Sequence, residues 1–259
     1  TSAMFDVILA FITLIGMHGT LTAANGDGKR GFTLVGLAIG LGVLAKGPVI
    51  LLHILPAAVL APWWNPGLQW KRWFGGIGLA ILLGAAIALA WAIPAGFAGG
   101  EAYRRAIFWG QTADRMVQSF AHNRPLWWYL PILPAIFFPW LVWPGLWRSL
   151  TSFVRKGLDR GGRFCLAWLL PVLIAFSFIS GKQPHYLIPL FPAFALLVAR
   201  SVTNEVRVTG LWLPSLSALL AGGAFVAMAL GCLKVSREEL SVPTKRHRYK
   251  CSARQQGAQ

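Results

Sequence analysis

Charge is what this 259-residue chain has least of: 12% of its residues are charged, against the roughly 25% usual in soluble domains. Acidic residues are rarer still, with 8 Asp+Glu beside 24 Lys+Arg. Three cysteines, Cys165, Cys232 and Cys251, are too few and too scattered for a disulfide framework or a metal-binding repeat. No internal repeat is present, which removes solenoids and gives no support to the inverted-repeat transporters. What fills the space is apolar: 56% of the chain is hydrophobic, with 13 Trp and 16 Phe, in runs that approach the roughly 20 residues needed to cross a bilayer. An all-α, polytopic transmembrane bundle of about eight spans follows.

The spans are expected near residues 4–24, 31–46, 47–64, 73–97, 125–147, 164–180, 185–200 and 210–233. A net charge of +16 would suggest nucleic acid in a soluble protein. Here the basic residues lie between apolar runs, which is the imprint of membrane topology, so no nucleic-acid partner is expected. With residue 1 outside, the inner loops carry eleven Lys/Arg, among them Lys29, Lys71, Arg148, Arg160, Arg163 and Arg200, and the outer loops six. Trp63, Trp64, Trp70 and Trp73 would form an inner aromatic belt, and Trp127, Trp128 and Tyr129 an outer one. The outer stretch 98–124 is too polar to span and reads as an interfacial helix. Residues 1–233 form the membrane domain; 234–259, carrying seven Lys/Arg, read as a disordered basic tail. The chain opens inside an apolar segment without an initiator Met, so it is expected to begin within a longer protein and to be inactive alone.

Ionisable groups at membrane depth are costly and mark function. Asp6 sits at the outer end of the first span. Lys46 stands between two apolar runs and is followed by Gly47 and Pro48. A second break, Gly181–Tyr186 (GKQPHY), offers Lys182, His185 and Tyr186, and Pro184 prevents a regular helix there. A third cluster holds Asp114, Arg115, His122 and Arg124. His18 and His53, within apolar spans, are expected to be hydrogen-bonded packing residues. Asp6, Lys46, the 98–124 stretch and Lys182–Tyr186 all fall on the outer face. Carboxylate, cations and a tyrosine beside lipid suit a lipid-linked phosphate.

Four segments carry a family resemblance: AMFDVILAF (3–11), LGVLAKGPVILLHILP (41–56), FWGQTADRMVQSFAHNRPLWWYLPILPAIFFPWLVWP (108–144) and GKQPHYLIPLFPAFALLVAR (181–200). In their order and spacing the chain resembles the polyprenyl-phosphate-dependent glycosyltransferases of the GT-C type. These are related to protein O-mannosyltransferases, and the likeness is greatest to the bacterial branch that includes the lipid A aminoarabinose transferases. The resemblance implies an outward-facing active site in the bacterial inner membrane. It implies a polyprenyl-phosphate sugar as donor and a lipid or protein as acceptor. By position Asp6 resembles a catalytic acid. Lys46, Lys182 and Tyr186, with Arg124, resemble donor-phosphate ligands. His122 resembles a loop histidine that helps hold a divalent metal. The family's first outer loop, with its leading acid, would precede residue 1. A transporter or flippase for a lipid-linked or anionic substrate is the alternative that the broken helices leave open.

Overall fold

The computed structural model describes residues 2–101, 124–179, 181–202, 212, 214–220 and 222–223. Two compact units divide the chain at Leu211/Trp212. The described residues of the second unit, within the span expected at 210–233, are helical. The basic tail and most of the 98–124 stretch, His122 included, lie outside the described residues, as do Asp114 and Arg115.

The first unit opens with a helical hairpin. Helix α1 (Ser2–Ala24) and helix α2 (Gly28–Lys46) are joined by a tight turn whose Gly26, at φ 108°, takes a left-handed conformation open to glycine at little cost. Asp27 caps α2 by accepting the Arg30 N–H at 3.2 Å. The other face of α2 packs on helix α5 (Trp70–Ala98). Small residues allow this close approach: a Cβ on Gly36 would stand 2.9 Å from the Ala80 carbonyl oxygen, and one on Gly31 only 2.3 Å from the Ala23 nitrogen.

The Gly47–Pro48 break ends α2, and two short helices follow, α3 (Val49–Val59) and α4 (Ala61–Trp64). The span expected at 47–64 is thus interrupted. Pro62 has no N–H to offer the Ala58 carbonyl four residues earlier. The indole of Trp73 donates to that carbonyl instead, at 2.8 Å, and Trp64 donates to the Ala57 carbonyl at 2.7 Å. Both indoles are buried, with Phe164 and Phe32 edge-on at 5.0 and 5.1 Å. Trp64 and Trp73 therefore belong to the core, and only Trp63 and Trp70 of the expected inner belt are exposed. Tyr129 of the expected outer belt is buried as well.

The segment expected to span at 125–147 is broken too. It forms a 3-10 turn (Leu126–Trp128), helix α6 (Tyr129–Ile136), another 3-10 turn (Trp140–Val142) and helix α7 (Pro144–Arg155). Pro131, Pro134, Pro139 and Pro144 each remove a backbone donor, so one continuous helix would leave carbonyls unpaired. Helix α7 is markedly amphipathic, with Leu146 buried and the charged Arg148 and Arg155 on its length. Helix α8 (Arg160–Phe178) is capped by Asp159, which accepts the Gly162 N–H at 2.8 Å. A 3-10 segment (Pro184–Leu190) then leads into helix α9 (Phe191–Val202).

Among the described residues five segments are long and apolar enough to cross a membrane: Phe5–Ala24, Gly28–Lys46, Trp70–Ala98, Arg160–Phe178 and Pro184–Val202. Large apolar side chains such as Phe11, Leu79, Leu82, Phe97 and Phe178 point outward from them. Water would penalise that surface and hydrocarbon would not. The chain is an all-α, multi-pass membrane protein.

Candidate functional site

Asp6 and Lys46 stand at equal chain distance from the Gly26 turn, so the antiparallel hairpin brings them to one depth. Their side chains form an ion pair, Lys46 Nζ donating to Asp6 Oδ1. Asp6 is fully buried, at 0% exposure, while the Lys46 side chain keeps 18%. Asp6 was expected at the outer end of the first span; there it lies buried behind Lys46. Its second oxygen, Oδ2, accepts no hydrogen bond from the described residues and has His185 Nε2 at 3.7 Å.

The ammonium of Lys46 also lies 4.9 Å from the ring centroid of Tyr186, a cation–π distance. Tyr186 and His185 meet edge to face at 4.8 Å. Asp6, Lys46, Tyr186 and His185 therefore form a closed ring of contacts. They come from the α1–α2 hairpin and from the 3-10 segment after α8, which lies far from it in the chain. Lysine in the last turn of α2 also complements the carbonyl end of that helix.

The break that carries His185 and Tyr186 is anchored on its other side. Lys182 is 3% exposed and donates from Nζ to the Arg124 carbonyl at 2.9 Å. An ammonium has three donors. Tyr129 donates its hydroxyl to the Gln183 carbonyl at 3.1 Å. The Arg124 guanidinium lies 5.4 Å from the Trp128 ring centroid. Lys46 and Lys182 thus serve the two sides of one segment, 181–186. Neither is the lone uncompensated cation that its local sequence suggests, since Asp6 meets the first and a carbonyl the second. Behind the ring, Phe176 packs on Tyr186 at 5.8 Å and on His53 at 5.3 Å. His53 is buried, but neither ring nitrogen has a hydrogen bond among the described residues, against the expectation of a bonded packing residue. His18 is exposed on α1. Sequence reasoning named His185 as a donor but gave it no role; its neighbour Tyr186 and the Pro184 break were the available signal.

The opposite end of the bundle is basic. Arg160 donates to the Asn25 side chain at 2.8 Å and lies 5.7 Å from the Trp64 ring centroid. Arg163 donates to the Trp63 carbonyl at 3.2 Å, and Arg200 pairs with Asp159. Among the described residues, Asp6, Lys46 and Lys182 lie at one end of the helices and Lys29, Arg160 and Arg200 at the other. No three His, Cys, Asp or Glu gather as a metal site among the described residues.

The membrane helix bundle thus gathers an ammonium, a carboxylate and a phenol at one end. The chain is 31% identical over 212 residues, 80% of its length, to an undecaprenyl phosphate-alpha-4-amino-4-deoxy-L-arabinose arabinosyl transferase of an Enterobacter species. It is 34% identical over 192 residues to the protein of that name from Edwardsiella ictaluri, and 32% identical over 231 residues, 87% of the chain, to one from Pseudomonas aeruginosa. It spans 33–39% of the length of these three relatives. No family model matches, and no solved structure does. The chain belongs to the polyprenyl-phosphate-dependent GT-C glycosyltransferase family and corresponds to part of the length of its members.

Proposed function

We propose that this chain forms the donor-phosphate part of a membrane glycosyltransferase. It transfers a sugar, of the 4-amino-4-deoxy-L-arabinose class, from a polyprenyl phosphate to a lipid acceptor such as lipid A at the outer face of the bacterial inner membrane. The observation that carries this is the ring of Asp6, Lys46, Tyr186 and His185 at the end of the bundle away from Arg160, Arg163 and Arg200. That ring lies in a chain whose similarity to the transferases covers most of its length.

The chemistry needs little from the protein at the leaving group. An acceptor oxygen attacks the anomeric carbon, the bond from that carbon to the phosphate oxygen breaks, and polyprenyl phosphate departs with the electron pair. Catalysis lies in stabilising the negative charge that grows on the phosphate. Lys46 and the Tyr186 hydroxyl supply donors at the mouth of the ring, the remaining donors of Lys182 and the Arg124 guanidinium supply more from the side, and Asp6 holds Lys46 in place. An acceptor that is itself a phosphate is already anionic and needs no base. Asp6, buried behind Lys46, then has no proton to remove. A divalent metal held through His122 is the further element that the family resemblance brings.

The test uses membranes from cells expressing the gene that encodes the chain, supplied with radiolabelled undecaprenyl-phosphate aminoarabinose. Label appearing in lipid A, and lost with Lys46→Ala, supports the proposal. Label that crosses the membrane still attached to its polyprenyl carrier supports a flippase instead.

A further inference from the structure

Asp6 presents an unusual account of its two oxygens. Oδ1 takes the Lys46 ammonium, while Oδ2 is buried and accepts no hydrogen bond from the described residues. A buried carboxylate oxygen left unsatisfied is costly, and native structures rarely tolerate one. His185 Nε2 stands 3.7 Å from that oxygen, and the His185 side chain is 26% exposed, so it links Asp6 to the site's open side. Either the imidazolium or the neutral tautomer carrying its hydrogen on Nε2 can donate to Oδ2.

We propose that His185 is a positioning residue of the donor-phosphate site: it donates from Nε2 to Asp6 Oδ2 and, through Asp6, fixes the Lys46 ammonium over the Tyr186 ring. A carboxylate held at one oxygen only is free to rotate about its Cβ–Cγ bond and to carry the ammonium with it. Held at both, it has one orientation. His185 also packs edge-on against Tyr186. One side chain thereby sets two partners of Lys46, the carboxylate and the aromatic face. Groups that orient a primary ligand in this way are worth a large share of its affinity although they never touch the bound molecule.

Two variants separate donation from packing. His185→Phe keeps a ring against Tyr186 but removes the donor. His185→Gln removes the ring but returns an N–H at about the same reach. The effect on ligand rests on the reading of this site as a donor-phosphate site; the effect on the Asp6 carboxyl does not. The chain, reconstituted in lipid nanodiscs without ligand, is labelled with 13Cγ-aspartate and 15N-histidine, and the Asp6 signal is assigned by its loss in Asp6→Asn. In the unmodified chain a 15N–13C dipolar contact to Asp6 Cγ is expected from one histidine. The Asp6 signal should move in His185→Phe and return toward its original position in His185→Gln. Absence of the dipolar contact, which needs no variant to fold, overturns the proposal. So does an Asp6 signal indifferent to His185→Phe.

Undecaprenyl phosphate is then titrated into the same nanodiscs. Affinity should fall about tenfold in His185→Phe and recover most of that in His185→Gln. In the Asp6→Asn background His185→Phe should cost nothing further, because the residue acts through Asp6. Equal losses with and without Asp6 overturn the positioning role. If the unmodified chain shows the dipolar contact yet does not bind undecaprenyl phosphate, the donor-phosphate reading fails and the Asp6–His185 link stands.

Discussion

Removing Lys46 should harm this protein more than removing the partner it pairs with. Lys46→Ala leaves Asp6 fully buried without its ammonium, and among the described residues the remaining donor beside it is His185 at 3.7 Å. Stripping one member from a buried pair costs about 3–5 kcal/mol, most of it the desolvation of the charge left behind. Asp6→Ala leaves the lysine instead, whose side chain is already 18% exposed and lies at the end of α2. A lysine there can extend its stem and return its ammonium to water or headgroups, so the loss falls to about 1–2 kcal/mol. Removing both charges abolishes the unpaired group, and the double variant should be more stable than Lys46→Ala alone. Reversible unfolding in mixed detergent micelles, followed by helical circular dichroism, measures all three. Ordering the variants as wild type, Asp6→Ala, double, Lys46→Ala supports a buried pair whose cost sits on the aspartate. A double variant as unstable as the sum of the singles would refute the reasoning, because it would mean that the two charges stabilise the fold independently.

Three further outcomes follow from other parts of the structure. In a background without native cysteines, single cysteines at Arg124 and Lys156, both exposed, should react with a membrane-impermeant maleimide from opposite sides of the membrane; labelling from one side would break the topology. Gly36→Val should destabilise the hairpin's packing on α5 by about 1–3 kcal/mol in the same unfolding assay, since its first added carbon already meets the Ala80 carbonyl. An unchanged midpoint would mean that the two helices are not held at that distance. Trp73→Phe should cost about 1–3 kcal/mol through the buried hydrogen bond to the Ala58 carbonyl that it removes, whereas Trp70→Phe, at an exposed position, should cost almost nothing.

The parts of the fold that were legible are those where one physical quantity decides. Hydropathy alone locates α1, α2, α5, α8 and the stretch that ends in α9, because a continuous apolar run has one low-energy use in a bilayer. The 125–147 stretch is just as apolar. Its prolines, however, set local breaks that hydropathy cannot register, so a single span was expected where two short helices and two turns stand. The interfacial helix expected at 98–124 lies mostly outside the described residues, while α7, amphipathic and described, was hidden within and beyond that apolar stretch. For the site, expense was the guide: Asp6, Lys46 and Lys182 stand out because charge beside lipid is rare. Their pairing did not stand out. Asp6 and Lys46 are 40 residues apart, and each has no opposite charge close by in sequence. The clue available was the symmetry of the two positions about Gly26. The aromatic belts show the limit of composition, since Trp64, Trp73 and Tyr129 sit where a belt would but turn inward to satisfy carbonyls.

The α1–α2 hairpin also bears on how such a protein enters a membrane during synthesis. A carboxylate or a lysine entering lipid alone resists insertion by about 2.5–3.5 kcal/mol at mid-depth, and by less near the surface. Because the short Gly26 turn matches Asp6 to Lys46, the two helices can leave the translocation channel as a unit whose charges cancel. The segment that completes the ring, with His185 and Tyr186, is translated well over a hundred residues later. The early pair therefore waits, neutral and already seated, for the last pieces of the site to arrive.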